Sequence, residues 1–74
     1  MDKEQSQFFR NFGAEVRRIR LSKGWTLESM QNFDFSSQHF QKIESGKKAI
    51  GLYTAYRIAK AFKIPLSKML HNIV

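Results

Sequence analysis

The sequence contains no cysteine, so neither disulfide bonds nor a zinc–thiolate site can hold the fold together. Proline occurs once and glycine four times in 74 residues, and β-branched residues are few, which favours helices over strands. No apolar run approaches the length that spans a membrane, and the first residues lack the apolar segment of a signal peptide. We therefore expect one all-α domain over residues 1–74, soluble and cytoplasmic, with no membrane partner.

The sequence contains no pattern typical of a catalytic, metal-binding or cofactor-binding site. His39 and His71 are the only histidines, and no cluster of carboxylates lies at ligand spacing near either. The sequence also has no glycine-rich phosphate loop, no nucleophile elbow and no paired carboxylates. We expect no enzymatic activity, no bound metal or cofactor, and no small-molecule effector.

Acidic residues are few, and they are unevenly distributed. Six Asp and Glu stand against 13 Lys and Arg, which gives a formal net charge of +7. No acidic residue follows Glu44, whereas several lysines and one arginine do. Because a basic surface gains from neutralising phosphates and releasing counterions, nucleic acid is the leading partner. A merely soluble cationic surface and an anionic membrane surface are the alternatives that charge alone leaves open.

Apolar residues recur at three- and four-residue spacing, the period of an amphipathic helix, over most of the chain. The pattern predicts a first helix over residues 6–22, with Gly24 suited to its C-terminal cap. It predicts a further helix over residues 52–62, which Pro65 separates from a short last helix. The apolar residues that define these three helices are Phe9, Phe12, Val16, Ile19, Leu52, Ala55, Ile58, Ala59, Phe62, Leu66, Met69, Leu70 and Ile73.

Residues 26–45 have the pattern of a helix–turn–helix. Thr26 is a plausible N-cap for a short second helix, and residues 32–35 form a turn in which Asp34 or Asn32 takes the left-handed conformation. Ser36 or Ser37 caps a third helix that extends to Glu44. The apolar residues of this third helix are Phe40 and Ile43, and its opposite face carries Ser37, Gln38, Gln41 and Lys42.

The polar face of the third helix has side chains suited to duplex DNA. Glutamine can form two hydrogen bonds with adenine, lysine can reach O6 and N7 of guanine, and serine can donate to bases or phosphates. Any amphipathic surface helix also has polar residues outward, so the pattern alone is weak. The net charge and the two lysines directly after the helix, Lys47 and Lys48, favour DNA binding.

Three segments carry a family resemblance: Arg-Leu-Ser-Lys-Gly-Trp-Thr at 20–26, Gln-Lys-Ile-Glu-Ser-Gly-Lys at 41–47, and Arg-Ile-Ala-Lys-Ala-Phe at 57–62 followed by Pro-Leu-Ser-Lys-Met-Leu at 65–70. Residues 17–70 thereby resemble the phage repressor and Cro-like helix–turn–helix domains, the xenobiotic-response-element or lambda-repressor-like family. The resemblance implies a compact five-helix, lambda-repressor-like bundle that contains a helix–turn–helix.

The resemblance also implies roles for individual residues. An arginine and a glutamate at the places of Arg20 and Glu44 pair between the first and third helices of the family, and we expect this pair to orient the third helix. The residues expected at base edges are Ser37, Gln38, Gln41 and Lys42. The residues expected at the phosphate backbone are Thr26, Leu27, Ser36, Ser45, Lys47 and Lys48.

The sequence departs from the family pattern in the helix–turn–helix. The interval from Gly24 to Gly46 is one residue shorter than usual, so the second helix or its turn must be trimmed. Asp34 replaces the customary glycine of the turn. Leu27 replaces the glutamine common at the start of the second helix, which removes a side-chain contact to phosphate.

These features predict a sequence-specific regulator of transcription that binds double-stranded DNA, a repressor or autoregulator acting as a homodimer on a palindromic operator. The fourth and fifth helices and the C-terminal tail are the expected dimer interface, although the tail can instead complete the core. The alternatives are an antitoxin-like module whose main partner is a toxin, a controller of restriction–modification genes, and a nonspecific nucleic-acid binder. A protein partner such as a toxin or polymerase stays open.

Overall fold

The computed structural model describes residues 2–74, and all regular structure in this range is helical. The helices are α1 (Lys3–Ser22), a 3₁₀ helix (Glu28–Phe33), α2 (Ser37–Glu44), α3 (Leu52–Phe62) and α4 (Leu66–His71). The predicted all-α architecture with five helices is confirmed. None of the helices in the described range is long and apolar enough to cross a membrane.

Helix α1 begins at Lys3, whereas the apolar stripe predicted a start near residue 6. Asp2 is its N-cap and accepts a hydrogen bond from the amide of Gln5 at 2.8 Å, while the Gln5 side chain accepts one from the Asp2 amide at 3.4 Å. This capping box satisfies two amides that have no partner within the helix. With this cap, α1 begins three residues before the predicted start.

The second helix is a 3₁₀ helix that begins at Glu28, one residue later than the start that an N-cap at Thr26 predicts. A 3₁₀ helix rises about 2.0 Å per residue and an α-helix about 1.5 Å, so fewer residues span the same distance. The six residues of this helix therefore cover a distance that needs about eight residues of an α-helix. Asp34 ends the helix in the left-handed conformation, with φ of 65°, the role expected for it or for Asn32.

The core draws on every helix. Ile58 and Phe62 of α3 and Met69 of α4 pack against residues of α1, the 3₁₀ helix and α2 in one cluster. The fully or almost fully buried apolar side chains are Phe12, Val16, Ile19, Met30, Phe35, Phe40, Ile43, Ile58, Ala59, Phe62 and Met69. Helix α2 is therefore held by its apolar side, and its other side faces solvent.

Helix α1 crosses the C-terminal end of α2 at Gly13, which is buried. A Cβ atom at this position would collide with the backbone carbonyl oxygens of Ile43 and Glu44. Glycine is thus required by the close approach of the two backbones. The crossing fixes where the end of α2 lies relative to α1.

The C-terminal segment is tied back to α1. Helix α4 packs on α1 and α3. Beyond it, Asn72 Nδ2 donates to Glu15 Oε2 at 3.0 Å, and Glu15 also accepts two hydrogen bonds from Arg18. These hydrogen bonds, led by that of Arg18, hold the pKa of the Glu15 carboxyl below its ordinary value against the opposing effect of burial.

Candidate nucleic-acid interface

The outward face of α2 is polar and accessible. Gln38, Gln41 and Lys42 are exposed and Ser37 is half-buried, whereas Phe40 and Ile43 on the other side are 0% and 2% exposed. A shallow concavity of about 460 Å³ runs along this face and into the following loop, lined by Gln38, Gln41, Lys42, Ser45 and Lys47. The structure therefore brings three of the four predicted base-contacting residues together with two predicted backbone-contacting residues, and Ser37 lies outside this concavity.

The N-terminus of α2 is capped by Ser36, one of the two predicted caps. Its Oγ accepts a hydrogen bond from the amide of His39 at 3.1 Å. The hydroxyl hydrogen takes no part in that bond, so it remains able to donate to an incoming acceptor such as a phosphate oxygen. Ser36 is exposed, as a phosphate contact requires.

The loop after α2 presents two exposed lysines, Lys47 and Lys48. Lys48 Nζ lies 3.4 Å from Nδ1 of His39, so the loop folds back beside the first turn of α2. The Ser45 hydroxyl already donates to the carbonyl of Lys42 at 3.1 Å. To donate to a phosphate, the Ser45 hydroxyl would have to break its hydrogen bond to the Lys42 carbonyl. The ammonium groups of Lys47 and Lys48 can donate to a phosphate without breaking such a bond.

At the start of the 3₁₀ helix, Thr26 accepts the hydrogen bond expected of an N-cap, but its own amide is not free to bind a phosphate. The Thr26 amide donates to Ser29 Oγ at 3.1 Å, and the Ser29 amide donates to Thr26 Oγ1 at 3.2 Å. The Thr26 amide is thus already satisfied. The Leu27 amide has no acceptor among residues 2–74, so of the two predicted backbone donors it is the one available to a phosphate.

Arg20 and Glu44 form a buried ion pair between α1 and α2. Arg20 Nε donates to Glu44 Oε2 at 2.7 Å and Nη2 donates to Oε1 at 3.1 Å, with both side chains less than 10% exposed. Arg20 Nη1 donates to the carbonyl of Trp25 at 2.7 Å. One guanidinium thereby connects α1, the loop before the 3₁₀ helix and the end of α2, which is a positioning role.

Arg57 is a second positioning residue, and its role was missed at the level of sequence. Its Nη2 donates to the carbonyls of Phe33 at 3.1 Å and Asp34 at 3.4 Å, and its guanidinium lies 4.4 Å from the centre of the Phe35 ring. These contacts hold the turn before α2 against α3. The contact joins residues 24 positions apart in the chain, and no local pattern signals it.

The electrostatic surroundings of His39 favour an anion. Burial, followed by the positive charges of Lys48, Arg57 and Lys42, lowers the pKa of His39 below its ordinary value. The ring stacks on Phe35, with centroids 6.2 Å apart. Cationic groups from α2, the following loop and α3 thus converge on the N-terminal half of α2. No group of three His, Asp or Glu side chains within residues 2–74 could hold a metal ion.

No protein-family model matches the sequence, and no curated protein does. The fold is similar to a solved structure described as the DNA-binding domain of BldD from S. venezulae, with a TM-score of 0.77. The two sequences are 18% identical, and the match covers 84% of this chain and 94% of that chain. At this identity the likeness is one of fold: the chain has the helical architecture of that domain.

Proposed function

We propose that this protein is a regulator that binds double-stranded DNA and recognises sequence with the exposed face of α2. The observation that carries the proposal is the polar surface formed by Gln38, Gln41 and Lys42 beside a basic loop. The likeness in fold to a domain that binds DNA supports it, as does the net charge of +7.

The side chains of this surface divide into two roles. Gln38 and Gln41 each present an amide that can both donate to and accept from an adenine edge, and Lys42 can donate to a guanine edge. Ser37, half-buried at the start of α2, completes the proposed base contacts. The proposed backbone contacts are the Leu27 amide, the Ser36 hydroxyl, and the ammonium groups of Lys47 and Lys48, which fix register without selecting sequence.

Recognition of base edges needs a helix that is held rigidly, and α2 is anchored at both ends. The Arg20–Glu44 pair holds its C-terminal end, and Arg57 holds the turn before its N-terminal end. Both anchors lie behind the exposed face, so they leave the polar side chains free. Residues whose surroundings are fixed by packing make more selective contacts than residues on a mobile loop.

We further propose that the protein acts as a homodimer on a palindromic operator, through α3, α4 and the C-terminal tail. The support is on α3, where Leu52 and Tyr53 are 78% and 72% exposed and Tyr56 is also exposed. A dimer on a palindrome predicts saturation at two chains per duplex when the duplex concentration is far above Kd. Saturation at one chain per duplex would contradict the dimer and leave recognition by α2 intact.

The biological role that we propose is repression, including autoregulation. A dimer bound upstream of its own gene would occlude the promoter, so more protein would mean less transcription. The function can therefore be tested first on the duplex upstream of that gene.

The test is a fluorescence-anisotropy titration against that duplex and a scrambled duplex of equal length, at two salt concentrations. We expect a preference of about 1,000-fold for the native duplex. Lys42→Ala and Gln38→Ala should each reduce that preference by about 5- to 150-fold, the equivalent of about 1–3 kcal/mol for one base contact. Lys63→Asn, at an exposed position in the loop between α3 and α4, is the matched control and should leave it unchanged.

Two other results would contradict the proposal. Equal, strongly salt-dependent binding to both duplexes would indicate a nonspecific nucleic-acid binder, since only backbone contacts would remain. No binding to either duplex would favour a protein-interaction module of the antitoxin kind. Either outcome would also remove the role assigned to Gln38 and Lys42.

A further inference from the structure

We propose that α1 supplies a second phosphate-binding element, formed by Arg10 and Arg17 beside the C-terminal end of α2. The inference rests on the proposed function and extends the interface to a helix outside the helix–turn–helix. Neither arginine belongs to the residues that the sequence pattern predicts for DNA contact.

The crossing of α1 and α2 places both arginines at the proposed interface. Arg10, Gly13 and Arg17 follow one another at spacings of three and four residues, so they share one face of α1. Gly13 lies against the last carbonyls of α2. The two arginines therefore flank the point at which α1 meets α2.

Arg17 lies next to residues of the proposed interface. It lines a concavity of about 350 Å³ with Leu27, Gln41 and Ser45, and the Arg20–Glu44 pair forms part of its wall. Gln41 and Ser45 also line the concavity along the exposed face of α2. Arg17 thus borders the same surface from the side of α1.

Arg10 lies on the other side of the crossing, against the loop that carries Lys47 and Lys48. A Cβ atom at Gly46 would lie 2.6 Å from the Cα atom of Arg10, so the backbones of α1 and this loop are in direct contact. Gly46 also has φ of 74°, which glycine tolerates and other residues rarely adopt. The loop lysines and Arg10 consequently form one continuous basic region.

The charges of Arg10 and Arg17 are not used within the fold. Arg18 pairs with Glu15 and Arg20 pairs with Glu44. Arg17 has no side-chain hydrogen bond or ion pair among residues 2–74, and Arg10 donates only to the amide oxygen of Gln7 at 3.0 Å. Both side chains are exposed. Two of the four arginines of α1 thus keep a full positive charge on the side that faces the end of α2.

The two arginines leave α1 at well-separated points. Seven residues of an α-helix rise about 10 Å, which exceeds the axial rise of about 3.4 Å between successive phosphates of one strand. Each guanidinium could therefore bind a different phosphate of one strand. Such contacts would strengthen binding to every sequence by the same amount, because phosphates carry no sequence information.

A different role for these arginines is purely structural. The C-terminal end of α2 carries the negative end of the helix dipole, and nearby cations stabilise such an end. That role predicts a change in melting temperature when the arginines are replaced, with no change in how binding depends on salt. The two roles are thus separated by measuring both quantities.

The experiment measures affinity against salt concentration for Arg10→Gln, Arg17→Gln and the double variant. Lys63→Asn, in the exposed loop between α3 and α4, is the control of equal charge change. We expect each arginine replacement to reduce the slope of log K against log salt by about one, and the double replacement by about two. The preference for the native over the scrambled duplex should stay as in the unaltered protein. Arg17→Lys should retain the slope, because an ammonium also neutralises a phosphate.

Thermal melts of each variant accompany the titrations and establish that it is folded. Slopes equal to that of Lys63→Asn, with lowered melting temperatures, would overturn the inference in favour of the structural role and leave recognition by α2 standing. Loss of the preference between duplexes in Arg17→Gln would overturn it too, since that result assigns Arg17 to base edges. An unaltered protein that binds no duplex would overturn both this inference and the proposed function.

Discussion

Glu44→Ala is expected to lower the free energy of unfolding by about 3–5 kcal/mol, the cost of leaving a buried charge without its partner. Arg20 is 7% exposed and would keep only its hydrogen bond to the carbonyl of Trp25. A loss of this size is comparable with the whole stability of a small domain. Urea denaturation monitored by circular dichroism measures it directly.

Two control variants test whether the destabilisation in Glu44→Ala comes from leaving a buried charge unpaired. Glu15→Ala also removes one partner of an ion pair, but Arg18 is 62% exposed and stays hydrated, so a much smaller loss is expected. The double replacement Arg20→Met with Glu44→Leu removes both charges and should be less destabilised than Glu44→Ala alone. An unchanged melting temperature in Glu44→Ala would show that the pair does not anchor α2.

Gly13→Ala is expected to destabilise the fold by about 2 kcal/mol, although alanine is the better helix former by about 1 kcal/mol. The added methyl group would collide with the carbonyl oxygens of Ile43 and Glu44, and these backbone atoms have no rotamer by which to move away. Overpacking a tight contact of this kind costs about 1–3 kcal/mol and occasionally more. Equilibrium unfolding in urea again provides the measurement.

Gly51→Ala is the matched control for Gly13→Ala. It adds the same methyl group where no atom lies within 4 Å, at a backbone conformation with φ of −81° that alanine adopts freely. A loss of less than about 1 kcal/mol is expected there, from a poorer helix cap. If Gly13→Ala proved as stable as the unaltered protein or more so, α1 and α2 would not cross as closely as described.

Much of the fold was predictable because local patterns determine it. The bounds predicted for α3, residues 52–62, agree with the structure, since the apolar spacing defines the helix and Pro65 separates it from the next one. Asp34 was named as a left-handed residue of the turn because short polar side chains tolerate that conformation. The outward face of α2 follows from the inward positions of Phe40 and Ile43.

The errors fall where local patterns carry no information on geometry or on distant contacts. Hydrophobic period does not distinguish a short α-helix from a 3₁₀ helix, so the sequence did not predict the type of the second helix. The capping box at Asp2 and Gln5 lies outside the apolar stripe, so α1 was predicted too short. The contacts of Arg57 and the crossing at Gly13 join segments distant in sequence, and only the folded chain brings them together.

Amide NMR spectra recorded during titration with duplex DNA test most directly whether the exposed face of α2 recognises DNA. We predict the largest chemical-shift changes in residues 36–42 and 45–48, with smaller changes at Leu27 and around Arg10 and Arg17. Helix α4, which belongs to the proposed dimer interface and not to this surface, should change less than α2. Changes concentrated instead on α4, or on Tyr53 and Tyr56 without α2, would contradict recognition of DNA by this helix.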